Sequence, residues 1–155
     1  MTIAKSAKRL DVQIHDTRFA TVTSERLEAD VVETFAAVQR AHNAATTMVL
    51  SSFSPGSPQP ANPIDDMRHR IIQDLREDIR VTTVSPNGMV RAAWFGSGDI
   101  RVRIPALPHP KYCAALESDI ATALIQLSDE YRSALRDAMQ RADLAIQERK
   151  ERQNK

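Results

Sequence analysis

The chain has 155 residues, 42% apolar and 26% charged, enough to bury one core and too apolar to stay disordered. Its 21 Lys and Arg against 20 Asp and Glu exclude a general attraction to nucleic acid or anionic membrane, so any such binding has to come from local clustering. The single Cys113 cannot close an internal disulfide, no signal-peptide pattern opens the chain, and no apolar run approaches the roughly 20 residues that span a bilayer; a cytoplasmic protein without membrane attachment is expected.

Residues 1–23 carry no sustained period, and Asp11-Val12-Gln13-Ile14-His15 is only a weak strand signal, so this segment reads as a loose N-terminal arm. From Ser24, a good N-cap, Leu27, Val31, Phe35, Val38, Ala41, Ala45, Met48 and Val49 recur at helical spacing and predict a helix over 24–50. Residues 51–63 hold Pro55, Pro58, Pro60 and Pro63 and read as a linker, since each proline removes a donor and restricts the residue before it. Asn62 as cap, Pro63 at the first helical position and Asp65 and Asp66 in the first turn start a second helix, whose stripe is Ile64, Met67, Ile71, Leu75 and Ile79.

The period then changes from 3.6 to 2. Ile79–Val84, Met89–Phe95 and Ile100–Ile104 read as an antiparallel meander with turns at Ser85-Pro86-Asn87-Gly88 and Gly96-Ser97-Gly98-Asp99. Pairing Val84 with Met89 and Phe95 with Asp99 puts Ile79, Val81, Thr83, Val90, Ala92, Trp94, Ile100, Val102 and Ile104 on one face. After Pro105, Pro108 and Pro110, a stripe from Leu116 through Ile120, Leu124, Leu127, Tyr131, Leu135, Ala138 and Ala142 to Ile146 predicts one long helix that covers this face. Beyond about residue 138 the helix outruns a three-stranded sheet and needs another partner, for which a second copy or a different chain is the expected source; residues 150–155 are a charged tail.

The chemistry of an enzyme is missing from this pattern. His15, His42, His69 and His109 are scattered without metal-ligand spacing, and Gly88, Gly96 and Gly98 punctuate hairpins instead of opening a helix as a phosphate-cradling loop does. No metal, no cofactor and no catalytic residue is expected. Cys113 reads as a small core residue, and His69 between Arg68 and Arg70 as part of a solvated helix face. The opposite sheet face is distinctive: Arg80, Arg91, Arg101 and Arg103 converge on three adjacent strands with only Asp99 as an acid at the edge. Such a face binds an anionic ligand, pairs with acids of another subunit or of the first helix, or is simply solvated. Trp94 points to the core in this register, which leaves Phe95 as one exposed aromatic.

The helix ending Asp74-Leu75-Arg76-Glu77-Asp78, the segment Val84–Ala92, the strand Asp99–Ile104 and the Ala-rich helix from Lys111 together resemble the YbaB/EbfC nucleoid-associated protein family over residues 64 to about 145. The resemblance implies an α+β fold of helix, three-stranded antiparallel meander and long helix over 64–149, here preceded by an extra N-terminal helix. It also implies a dimer that binds DNA with little sequence preference, in the cytoplasm and on the nucleoid. Divergent proteins similar to this family, associated with actinobacterial type VII secretion, supply the alternative: a protein-binding accessory or chaperone-like partner, homodimeric or heterodimeric. Phosphate contacts would come from Arg80, Arg91, Arg101 and Arg103, or from Arg132, Arg136, Arg141, Arg149 and Lys150 on the long helix.

Overall fold

A computed structural model describes residues 2–6, 9–14, 21–53 and 63–153. The fold is α+β, as expected. Two short strands, β1 (Thr2–Ser6) and β2 (Arg9–Gln13), form an antiparallel hairpin. Helix α1 (Ser24–Phe53) follows, then helix α2 (Pro63–Glu77). Strands β3 (Arg80–Val84), β4 (Arg91–Phe95) and β5 (Ile100–Arg103) make an antiparallel sheet in chain order. A short 3-10 turn, Pro110–Tyr112, leads into helix α3 (Cys113–Gln153).

The described residues of the N-terminal segment, 2–6 and 9–14, correct the expectation of a loose arm over 1–23, the rest of which up to residue 20 lies outside the described residues. Leu10, Val12 and Ile14 alternate along and just beyond β2 and are buried in the same apolar cluster as the sheet and the long helix. The alternation was too short to stand out, and long-range packing on α3 is what gives it a partner. The backbone N–H of Ile14 donates to Glu117 Oε1 on α3 at 2.6 Å, so the strand end is also held by a polar contact.

Thr23, one residue before the expected cap, closes the start of α1: its Oγ1 accepts from the Arg26 N–H at 3.2 Å. Leu27, Val31 and Phe35 are buried, joined by Gln39, whose Nε2 donates to Ser128 Oγ on α3 at 3.3 Å. Ala41, expected in the apolar stripe, is exposed. The helix packs on β5 and β1, so it shares the core of the sheet. Most of the expected linker lies outside the described residues; residues 51–53 complete α1 and Pro63 opens α2.

On the sheet, every residue assigned to the inner face is buried or half-buried there: Ile79, Val81, Thr83, Val90, Ala92, Trp94, Ile100, Val102 and Ile104. The β4–β5 register is the expected one, with Trp94 opposite Ile100 and the Phe95 N–H donating to the Asp99 carbonyl. In the first hairpin Val84 lies opposite Arg91, not Met89. Ser85 pairs with Val90, which leaves Pro86 to Met89 as the loop; the shift is two residues and therefore keeps every side chain on its face.

Helix α3, about 60 Å long from its residue count, lies on β3, β4 and β2 with its first half. Leu116, Ile120, Ala123, Leu124 and Leu127 are fully buried. Its second half corrects a further expectation: Ala138, Ala142 and Ile146 find their partner within the chain, in α2. Arg68 on α2 grips Asp143 with two bonds, at 2.7 and 3.3 Å, and this guanidinium holds the Asp143 carboxyl below its ordinary range. The helix continues into the charged tail, to Gln153.

Candidate functional site

Alternation along three paired strands brings Arg80, Arg91, Arg101 and Arg103 to one face, and all four are exposed. Arg91 lies directly opposite Arg103, Arg101 opposite Ala93, and Arg80 opposite Phe95. The rest of the face is Thr82, Val84, Ala93 and Phe95. Val84 is 57% exposed, so no other described element closes over this side of the sheet at that corner.

The half-buried Phe95 ring organises two of the arginines. The Arg80 guanidinium carbon stands 5.4 Å and that of Arg101 5.0 Å from the ring centroid, both within cation–π range. The ring contact holds the two guanidinium groups close to the sheet, where both side chains remain exposed. Arg103 takes a different partner, Glu28 on α1, at 3.6 Å. Glu28 Oε1 also accepts from the Ile104 N–H at 2.7 Å, so its carboxylate is committed chiefly to closing the end of β5. Arg103 is 75% exposed, and a pair this open contributes little to stability. Among the described residues, no carboxylate lies within ion-pair distance of Arg80, Arg91 or Arg101.

The five basic candidates on α3 are not gathered in this way. Arg132 sits 3.8 Å from Asp129, the Arg141 Nε donates to the Asp137 carbonyl of its own helix at 3.4 Å, and Arg149 reaches Met67 on α2. Arg136 and Lys150 are exposed among Asp137, Glu148 and Glu151. Because α3 packs on the inner side of the sheet, these residues do not join the sheet arginines, and their own surroundings mix both signs.

A polar network that the sequence reading missed holds the sheet in shape. Asp119, 2% exposed on α3, accepts from Ser85 Oγ at 2.6 Å and from Asn87 Nδ2 at 2.8 Å. The Met89 N–H lies 3.4 Å from the same carboxylate, and Ser85 Oγ in turn accepts from the Val90 N–H at 3.0 Å. The β3–β4 turn is thereby pinned to the helix. The signal was a lone Asp between Leu116 and Ile120 on the apolar stripe, opposite a Ser-Pro-Asn-Gly turn. Nearby, Thr83 Oγ1 donates to the Ala123 carbonyl at 3.2 Å. At the other turn Gly96 lies against the end of α2, where a Cβ would come within 1.6 Å of the Arg76 carbonyl oxygen.

Beneath the arginines, Trp94 stacks on Tyr131 with ring centroids 4.3 Å apart and meets Phe35 edge-on at 6.0 Å. Among the described residues, the buried Trp94 Nε1 and Tyr131 hydroxyl have no hydrogen-bond partner. Among the described residues no group of three or more His, Cys, Asp or Glu side chains is placed to hold a metal ion, and no helix is long and apolar enough to cross a membrane. No family model matches the chain, and no curated protein or solved structure is similar enough to it to count as a match.

Proposed function

We propose that this chain is a non-enzymatic DNA-binding protein of the nucleoid-associated kind, gripping phosphates with the outer sheet face and reading little sequence. One observation carries the reading: four exposed arginines on adjacent strands, three of them without a carboxylate among the described residues. Like charges set across neighbouring strands destabilise a sheet, and phosphates would remove that cost. Arginine suits the task because its planar fork meets phosphate oxygens with two donors. A flat face without a helix to enter a groove favours backbone contacts over base readout.

The protein works as a dimer in this reading, with the arginine face left open. Two copies stacked through that face would bring the same four arginines together, so association runs elsewhere. Apolar surface remains along the α2–α3 arm, where Met67, Ile71 and Leu75 are half-buried and Met139 and Leu144 are exposed. Nucleoid localisation in the cytoplasm belongs to the same proposal.

A second reading, a protein-binding accessory of the type VII secretion-associated kind, is favoured by the Glu28–Arg103 contact, in which this face already accepts a protein carboxylate. The two separate in one experiment. In gel shifts with a random-sequence duplex at low salt, the wild-type chain should shift the DNA and a chain with Arg91→Gln, Arg101→Gln and Arg103→Gln should not. A dimer that the triple change dissociates, with no DNA shift by either form, would instead support pairing with protein carboxylates.

A further inference from the structure

The β3–β4 turn contains Asn87-Gly88, the pairing of side-chain amide and unhindered backbone nitrogen most prone to intramolecular attack. Gly88 carries no Cβ to shield its nitrogen and adopts φ +70°, a conformation glycine takes without strain. In the folded turn both reacting groups are engaged. The Gly88 N–H donates to the Ser85 carbonyl at 2.9 Å, and Asn87 Nδ2 donates to Asp119 Oδ1 at 2.8 Å. Held this way, the amide carbon is fixed toward the helix and the backbone nitrogen toward the turn.

We propose that Asn87-Gly88 is a spontaneous deamidation site that the native turn guards and whose product cannot rebuild that turn. When the turn opens, the Gly88 nitrogen attacks the Asn87 Cγ, ammonia leaves and a five-membered succinimide closes. Water then adds to either ring carbonyl, giving aspartate or isoaspartate. Overall one amide and one water become one carboxylic acid and one ammonia, and no oxidant or reductant takes part.

The product's fate follows from Asp119. That carboxylate is buried, and among the described residues no Lys, Arg or His lies within ion-pair distance of it. A second carboxylate at position 87 replaces a donor with a like charge at hydrogen-bond range, in surroundings where no cation offsets it. Isoaspartate also lengthens the backbone within the turn, which removes the Gly88–Ser85 bond. Reclosure is blocked in both cases. Because β3 and β4 carry Arg80 and Arg91, the change also loosens the arginine face, although the site itself does not depend on what that face binds.

The test compares the native chain, the chain in sub-denaturing urea and a synthetic peptide of residues 81–91, all held in mildly alkaline buffer and mapped by mass spectrometry. Deamidation at Asn87 should be several-fold slower in the native chain than in the peptide, and urea should accelerate it. Asn87→Asp should lower the thermal midpoint by several degrees, and Asn87→Asp with Asp119→Asn should recover most of the loss, since the exchanged amide again donates across the pair. The recovery keeps the proposal open to refutation even where the single variant does not fold. Equal rates in native chain and peptide would overturn the guard. An Asn87→Asp chain as stable as wild type, or a double variant no better than the single one, would overturn the clash with Asp119.

Discussion

The two faces of the three-stranded sheet are built from alternate residues of the same strands, and Trp94 and Phe95 stand side by side in the chain on opposite faces. On the inner face, Val81, Ala92, Val102 and Ile104 are buried and Trp94 is wedged between Phe35 and Tyr131. On the outer face, Arg80 and Arg101 stand over Phe95, Arg91 and Arg103 lie opposite each other further along the strands, and all four are exposed. The inner face is constrained by volume, because an interior packed to crystal density leaves each side chain one fit. The outer face has no such constraint, so its clustered charge does not serve folding. That contrast separates what the fold requires from what it leaves exposed.

The contrast is broken most readily by truncating the inner face. Trp94→Ala should cost about 3 kcal/mol or more in urea unfolding, from lost burial and the cavity it leaves. A loss below about 1 kcal/mol would mean that the aromatic stack is not part of the core. Gly96→Ala comes next, at about 2 kcal/mol, because the added methyl meets the Arg76 carbonyl oxygen and α2 has to shift. Replacing Arg91, Arg101 and Arg103 together by Gln should change stability by no more than about 0.5 kcal/mol per residue, or raise it slightly as repulsion is relieved. The smallest effect is expected at Tyr131→Phe. Its hydroxyl is buried without a partner among the described residues, so removing it should leave the thermal midpoint unchanged or higher. A clear drop would reveal a hydrogen bond that organises the stack.

Much of this division was legible in the sequence. The switch from period 3.6 to period 2 located α2 and the meander, and parity assigned the residues of the three strands to their faces even where the first hairpin was offset by two, although Met89, expected in the second strand on the outer face, lies in the loop and packs against the core. What escaped were features made by distant residues. The β1–β2 hairpin is too short to announce itself and depends on α3 for burial. Asp119, Gln39 and Glu28 are polar residues whose meaning lies in partners 34, 89 and 76 positions away. The α2–α3 pairing, which removes one reason for expecting a partner on the distal helix, joins residues far apart in the chain, as the Arg68–Asp143 contact across 75 positions shows. Of the candidate site, the sheet arginines were readable as a group because strand alternation is local. The helix-borne basic residues were grouped only by proximity in sequence, and their acidic neighbours dissolve the group.

The claim that the outer face engages phosphates is tested most directly by the salt dependence of duplex binding. Fluorescence anisotropy with a labelled random-sequence duplex, over a series of salt concentrations, gives the slope of log affinity against log salt. Each phosphate contact contributes about 0.9 to that slope, so Arg91→Gln with Arg101→Gln and Arg103→Gln should flatten it by roughly 2 to 3 units per protomer bound. An identical slope in the wild-type and triple-variant chains, or no binding by the wild-type chain at low salt, would contradict the account.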